Sequence, residues 1–188
     1  MPFLRGHMSR RRFTYTRPNG DVGSSAEFVV DAMALCKAAF PTSQLHVFGV
    51  GSPTTAIALL ALGADSVDSL AWRRAAGYGT IFLSGCAERA VSSRDRIHST
   101  SRPSVSRQEK LLLSTCGCPV CAKHGTVRGR LAALAVSYVA RGVHNVWTLL
   151  AEERALRVAR TDGTLDRFLF ARIHGRHRFA LLIKRRFS

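Results

Sequence analysis

The sequence predicts an α/β fold, and two stretches carry the prediction. Leu45 to Val50 is a short apolar strand, Thr54 to Leu62 an apolar helix and Ala64 to Asp68 a second strand, which together make a βαβ unit. Further along, Cys116, Cys118 and Cys121 form C-x-C-x2-C, and His144 follows after twenty-two residues. Thiolate and imidazole are the donors that tetrahedral zinc prefers, and four of them close a structural site with no open position. Gly117 is expected to let the chain curl between two ligands and Pro119 to stiffen the turn into Cys121.

The elements follow in order. Residues 1–25 are basic and rich in turn formers (Arg10-Arg11-Arg12, Arg17-Pro18-Asn19-Gly20), and read as a loop or short hairpin outside the core. Ala26 to Ala39 has Phe28, Val29, Ala32, Met33, Leu35 and Cys36 at helical spacing, ended by Phe40-Pro41. Ser52-Pro53 is a good start for the βαβ helix, with serine as cap and proline in the first turn, and Gly63 a fitting stop. Ile81-Phe82-Leu83 reads as one more short strand, and Arg89 to Lys110 as an exposed basic connection to the cysteine loop. Arg130 to Ala140 is an amphipathic helix stopped by Gly142, and His144 to Arg160 a second helix. The resulting division is 1–25, 26–110, a zinc-binding part at 111–160 and a basic tail at 161–188.

Charge and composition narrow the function. The net charge of +16 comes from 28 Lys and Arg against 12 Asp and Glu, mostly arginine, whose planar fork suits phosphate. That points to nucleic acid; the plainer explanation is a GC-rich genome that uses arginine wherever a cation will do. No run of eighteen apolar residues exists, so no membrane span is expected, and Met1 to Arg12 lacks the apolar stretch of a secretory signal. Five cysteines, three of them packed into six residues, suit metal in a reducing, cytoplasmic setting better than disulfides, with Cys36 and Cys86 as buried thiols.

Several candidate site residues have two readings each. Asp68, at the carboxyl end of a strand, is placed for nucleophile, base or ligand chemistry, or else it caps the helix or turn that follows. His124 stands three residues after Cys121 and competes with His144 as fourth ligand. His144 is preferred because it opens an apolar helix that the metal would pin to the loop. Arg73, Arg74, Arg94, Arg96, Arg102 and Arg107 flank the Asp68 region and suit phosphate, while Trp72 and Tyr78 suit base stacking or plain packing. Gly49-Val50-Gly51 lacks the third glycine of a dinucleotide fingerprint.

The run His46-Val47-Phe48-Gly49-Val50-Gly51-Ser52-Pro53, then Gly63-Ala64-Asp65-Ser66-Val67-Asp68-Ser69, Cys116-x-Cys118-Pro119-x-Cys121 and Arg141-x-x-His144-Asn145, resembles the tRNA-guanine transglycosylases, nearer their archaeal and DNA-acting relatives. The similarity covers roughly residues 40 to 155. It implies a partial TIM (β/α) barrel, its C-terminal strands and helices carrying a structural zinc insertion. It also implies exchange of guanine for a 7-deazaguanine base in nucleic acid, tRNA before DNA, through a covalent aspartyl–ribose intermediate. In that resemblance Asp68 is the nucleophile, Gly49 and Gly51 lie close to substrate, and Cys116, Cys118, Cys121 and His144 hold Zn2+. A complete barrel needs far more chain before the zinc loop than the 115 residues here, and Asp21, Asp31 and Asp65 do not match the family's other catalytic aspartate. A partial enzyme, completed by a missing barrel half or paired as a homodimer, is therefore expected. The alternative is a non-catalytic, zinc-stapled module that binds nucleic acid or completes a partner.

Overall fold

The computed structural model describes residues 6–9, 12–16, 22–91, 102–173 and 177–187, with backbone alone for the strands before residue 25. Arg10, Arg11, Arg17, Arg94 and Arg96, and Asp21, fall outside the described residues.

Strands β1 (Gly6–Ser9), β2 (Arg12–Thr16) and β3 (Val22–Ser24) form an antiparallel meander, with Met8 opposite Phe13 and Tyr15 opposite Gly23. The expected loop or hairpin is thus a three-stranded sheet, and it packs on helix α1 (Ser25–Ala39) through β2 and β3. Ala26 and Met33 of α1 are buried, but Leu35 and Cys36 face solvent, so the Cys36 thiol is not the buried one expected.

The βαβ unit is present in reduced form. Strand β4 (His46–Val47) pairs in parallel with β5 (Ser66–Val67), and helix α2 (Pro53–Ala61) joins them. Ser52 caps α2 by accepting from the Thr55 N–H at 3.3 Å, and Pro53 takes the first turn, where its missing N–H costs nothing. Seven residues of α2, Pro53 to Leu59, are buried, which agrees with its continuous apolar sequence. The Asp65 carboxylate accepts from Leu45 N at 2.6 Å and from Lys37 Nζ at 2.5 Å, tying α1 to the strand pair. No barrel wall forms among the described residues; they build a mostly helical α/β arrangement with three small separate sheets.

Helix α3 (Ala71–Gly77) leads into the antiparallel pair β6 (Thr80–Ile81) and β7 (Arg89–Ala90). The strand expected at Ile81 to Leu83 is therefore shorter and one residue earlier. Part of the expected exposed connection is also ordered, because Arg89 in β7 pairs with Glu109 at the start of helix α4 (Glu109–Ser114) at 2.5 Å. A 3-10 turn (Cys121–Lys123) precedes helix α5 (Val127–Val136), and helix α6 runs from Tyr138 to Thr161.

The break between the last two helices falls at Ser137, not at Gly142. Ser137 is extended (φ −119°, ψ 119°), and its hydroxyl accepts from the Ala140 N–H, so it starts a new helix. Gly142 lies inside α6 because the Trp72 ring packs there: a Cβ at Gly142 would meet Trp72 Cζ3 at 3.4 Å. His144 accordingly sits in the second turn of α6 and does not open it.

With 24 residues, α6 is about 36 Å long at 1.5 Å per residue, and it runs through both main cores. Its C-terminal half gives Leu156 to a core shared with Met33, Ile57 and Leu59. The tail contributes to the same core: helices α7 (Leu165–Arg172) and α8 (Ala180–Phe187) bury Leu169 and Ile183, and Phe179, just before α8, is buried with them. The segment that reads as a basic tail is thus two packed amphipathic helices. The second core gathers Ile81, Leu83, Leu113 and Leu134 around Cys118 and Cys121. No described helix is long and apolar enough to cross a membrane.

Candidate metal centre and strand-end carboxylate

Three thiols and one imidazole converge on a single point. His144 Nδ1 lies 3.6 Å from Cys116 Sγ, 3.5 Å from Cys118 Sγ and 3.7 Å from Cys121 Sγ, and all four donor atoms fall within 4.8 Å of one another. A tetrahedral ion with bonds of about 2.3 Å to sulfur and about 2.0 Å to nitrogen sets S and N about 3.5 Å apart, so the arrangement fits zinc. His124 is not in this group, which leaves His144 as the fourth donor. Gly117 keeps a negative φ, so the loop curls there without the left-handed conformation that only glycine takes readily.

The tautomer of His144 is set from behind. Its Nε2–H donates to the Phe82 carbonyl at 3.0 Å, leaving the Nδ1 lone pair aimed at the sulfurs. Hydrogen bonds from Cys116 and Cys121 hold the Cys118 thiol far down, while Cys116, Cys118 and burial push Cys121 up. Burial pulls the His144 imidazolium down, but the bonds to Cys116 and Cys118 outweigh it and raise the group to about 9. A dication held here would let all three sulfurs be thiolates beside a neutral imidazole.

The residues around His144 explain the Arg141-x-x-His144-Asn145 pattern. Asn145 is fully buried; its Oδ1 accepts from Phe82 N at 2.8 Å, and its Nδ2 donates to Trp72 O and Thr80 O. Arg141, also buried, donates through Nε to Ala76 O at 2.7 Å and through Nη1 to Leu134 O and Ala135 O. All three side chains clamp α3, β6 and the end of α5 onto one face of α6. The signal was present in the sequence as polar groups at i, i+3 and i+4 in the mostly apolar first half of the helix, but their partners were not.

Asp68 stands exposed immediately after β5. Its Oδ1 accepts from the Gly49 N–H at 2.5 Å, and its carbonyl accepts from Val50 N at 2.9 Å. Gly49 adopts φ 67°, the left-handed turn that brings its N–H onto the carboxylate. Asp68 does not cap the helix that follows. Ser69, next in the chain, accepts from Ala71 N and donates to the Gly51 carbonyl, both at 3.1 Å. Gly49, Gly51 and Asp68 are therefore brought together.

Asp68 borders a pocket of about 170 Å³ whose walls include Ile57, Leu60, Leu149 and Glu153. Leu149 to Glu153 come five to nine residues after His144 on the same helix, so α6 fixes the pocket wall and the metal centre together. Of the expected phosphate-binding arginines, Arg73 is exposed and makes no ion pair among the described residues. Arg74 is engaged differently, its Nη2 donating to buried Glu88 at 2.7 Å, with Arg102 also 3.4 Å from Glu88. Trp72 packs on Gly142 and does not offer a stacking face there. The buried acids Glu88 and Glu152, the latter paired with Arg172 at 3.1 Å, escaped notice in the sequence because acidic residues at these positions read as solvated surface.

Fold and site together define a mostly helical α/β protein that sets a carboxylate at a strand end and gathers three cysteines of a loop and His144 of α6 into a group that could hold a metal. Residues 7–178 match the model of the family described as queuine tRNA-ribosyltransferase, and the chain belongs to that family. It is 31% identical over 138 residues to the tRNA-guanine(15) transglycosylase of Methanosarcina mazei, covering 73% of this chain and 24% of that protein. It is 29% identical over 131 residues to the protein of that name from Saccharolobus solfataricus, covering 66% and 21%. The match to the one from Pyrococcus furiosus is 25% over 158 residues, covering 84% and 24%. The chain thus spans about a quarter of the length of the curated relatives it matches.

Proposed function

We propose that this chain carries the nucleophile and the zinc clamp of a transglycosylase that exchanges guanine for a 7-deazaguanine base in tRNA. The observation that carries the reading is Asp68, an exposed carboxylate at a strand end, oriented by the Gly49 N–H. In the first step a carboxylate oxygen bonds to ribose C1′ as the C1′–N9 bond breaks, and guanine leaves with the bonding pair, taking up a proton at nitrogen. In the second step the incoming base attacks C1′ through its five-membered-ring nitrogen, loses the proton there and expels the carboxylate. Two displacements replace one difficult substitution and regenerate Asp68.

The other residues have supporting roles in this reading. Gly49 and Gly51 border the substrate, and Arg73 is free to meet a phosphate, whereas Arg74 does so only by leaving Glu88. Cys116, Cys118, Cys121 and His144 would hold Zn2+, which supplies a structural clamp between the cysteine loop and α6. The names of the relatives support tRNA over DNA as the polymer. A cytoplasmic location, where thiols stay reduced, goes with such a site.

The single βαβ unit and the short span against the relatives support a partial barrel, with the remaining strands supplied by more of the chain, a second copy or a separate half. They also favour a second reading, in which the chain is a non-catalytic, zinc-stapled module that binds nucleic acid or completes a partner. One assay separates the two: incorporation of labelled guanine into tRNA and into duplex DNA by the zinc-loaded protein, beside Asp68→Ala. Incorporation that Asp68→Ala abolishes supports the enzyme and names its polymer. No incorporation from a folded sample with one zinc per chain favours the module.

A further inference from the structure

Arg130, in the first turn of α5, directs its guanidinium back across the cysteine loop. Its Nε donates to the His124 carbonyl at 2.9 Å, and its Nη1 to the carbonyls of Ser114 at 2.9 Å and Cys116 at 3.2 Å, with Leu113 O as a further acceptor. Leu113 and Ser114 close α4, Cys116 is the first sulfur donor, and His124 follows the 3-10 turn that carries Cys121. One half-buried cation therefore bridges both ends of the stretch that supplies three of the four donors.

Two further observations bear on this bridge. His124 is turned toward α5, its Cβ 3.4 Å from where a Cβ on Gly129 would stand, and outside the cluster. Three thiolates and a neutral imidazole around a dication also leave one net negative charge, which a nearby guanidinium offsets.

We propose that Arg130 is the positioning residue of the metal centre: by fixing both ends of the loop it sets the three sulfurs to face His144 before an ion arrives. The inference rests on the reading of these four residues as a zinc site. A loop fixed in advance loses less conformational freedom on binding, so the effect is in metal affinity and not only in fold stability.

The test is zinc competition against a chromophoric chelator, with Co2+ absorption as a check on coordination, for the full chain and for Arg130→Met and Arg130→Lys. Arg130→Met is expected to weaken zinc by about 10–100-fold, the range for loss of an outer-shell partner. Arg130→Lys should weaken it less, because an ammonium reaches fewer of the four carbonyls but keeps the charge. A purely structural arginine would lower the melting point of the metal-free chain and leave the affinity alone. Zinc affinity in Arg130→Met within about twofold of the parent overturns the proposal, the expected loss being at least tenfold. If that variant does not fold, Arg130→Lys decides by the same comparison: measurable weakening supports the role, and unchanged affinity overturns it. Failure of the parent chain to bind zinc or Co2+ sinks the metal centre itself, a different result from a parent that binds and a variant that binds equally well.

Discussion

Asn145 shows how much one side chain holds. Its amide serves Phe82 N, Trp72 O and Thr80 O from a position with no solvent contact, so a shape-matched apolar group would remove three bonds to backbone groups, two of them buried. Asn145→Leu is therefore expected to destabilise the fold by about 2–4 kcal/mol, read as a lower urea midpoint at unchanged slope. Because Phe82 O also orients His144, the same variant should bind zinc more weakly than the parent. The sequence displayed Asn145 beside His144 but gave no sign of these partners, which lie 63 to 73 residues away. Asp68 was equally visible as a strand-end carboxylate. Its bond to Gly49 N across the turn is a product of the fold.

Among the elements, α6 decides the architecture, and its start was misjudged from the sequence for an identifiable reason. Gly142 resembles a helix stop, yet a glycine inside a helix also permits the close approach of an aromatic ring, here Trp72. The Trp72 contact at 3.4 Å is ordinary packing for a methyl group but leaves no room for a longer side chain. Gly142→Ala should be tolerated, since it recovers up to about 1 kcal/mol of helix propensity. Gly142→Leu should cost about 1–3 kcal/mol through displacement of Trp72, and the two melting points measured side by side check this. Helix α2, by contrast, was legible at both ends because serine, proline and glycine act through local backbone chemistry.

At the scale of the whole molecule, the metal centre and the ion pairs join segments that are far apart in the chain. Acidification works against both. In the zinc-loaded chain proposed above, metal release would begin as the thiolates are protonated, so chelator at neutral pH and acid without chelator should each lower the melting temperature. Hydrogen bonding to Arg89, with help from Ser106 N, brings the Glu109 carboxyl down to about 2 from its usual 4.5. A carboxyl lowered on folding adds stability that is fully present above 4.5 and disappears as pH falls from 4.5 toward 2. Urea midpoints of the parent and Glu109→Gln should therefore differ most above pH 5 and converge as pH falls to about 2, where the folded carboxyl takes up its proton. A gap that stays constant across that range would show that the Arg89–Glu109 pair contributes nothing through its charge.

By itself the sequence determined the α/β class, the βαβ unit with its caps, the helix at 26–39 and the identity of the candidate metal donors. Each depends on local chemistry: periodic burial, the conformational limits of serine, proline and glycine, and the affinity of sulfur and imidazole for a soft dication. Only the tertiary structure decided that His144 rather than His124 joins the three cysteines, that Arg74 is held by Glu88, and that residues 161–188 contribute two packed helices to the core. Those outcomes depend on which faces meet once α6 has packed against α2, α3 and α7. A buried partner many residues away imposes a free-energy preference as large as any local signal, and it leaves no mark in the sequence around the residue it selects.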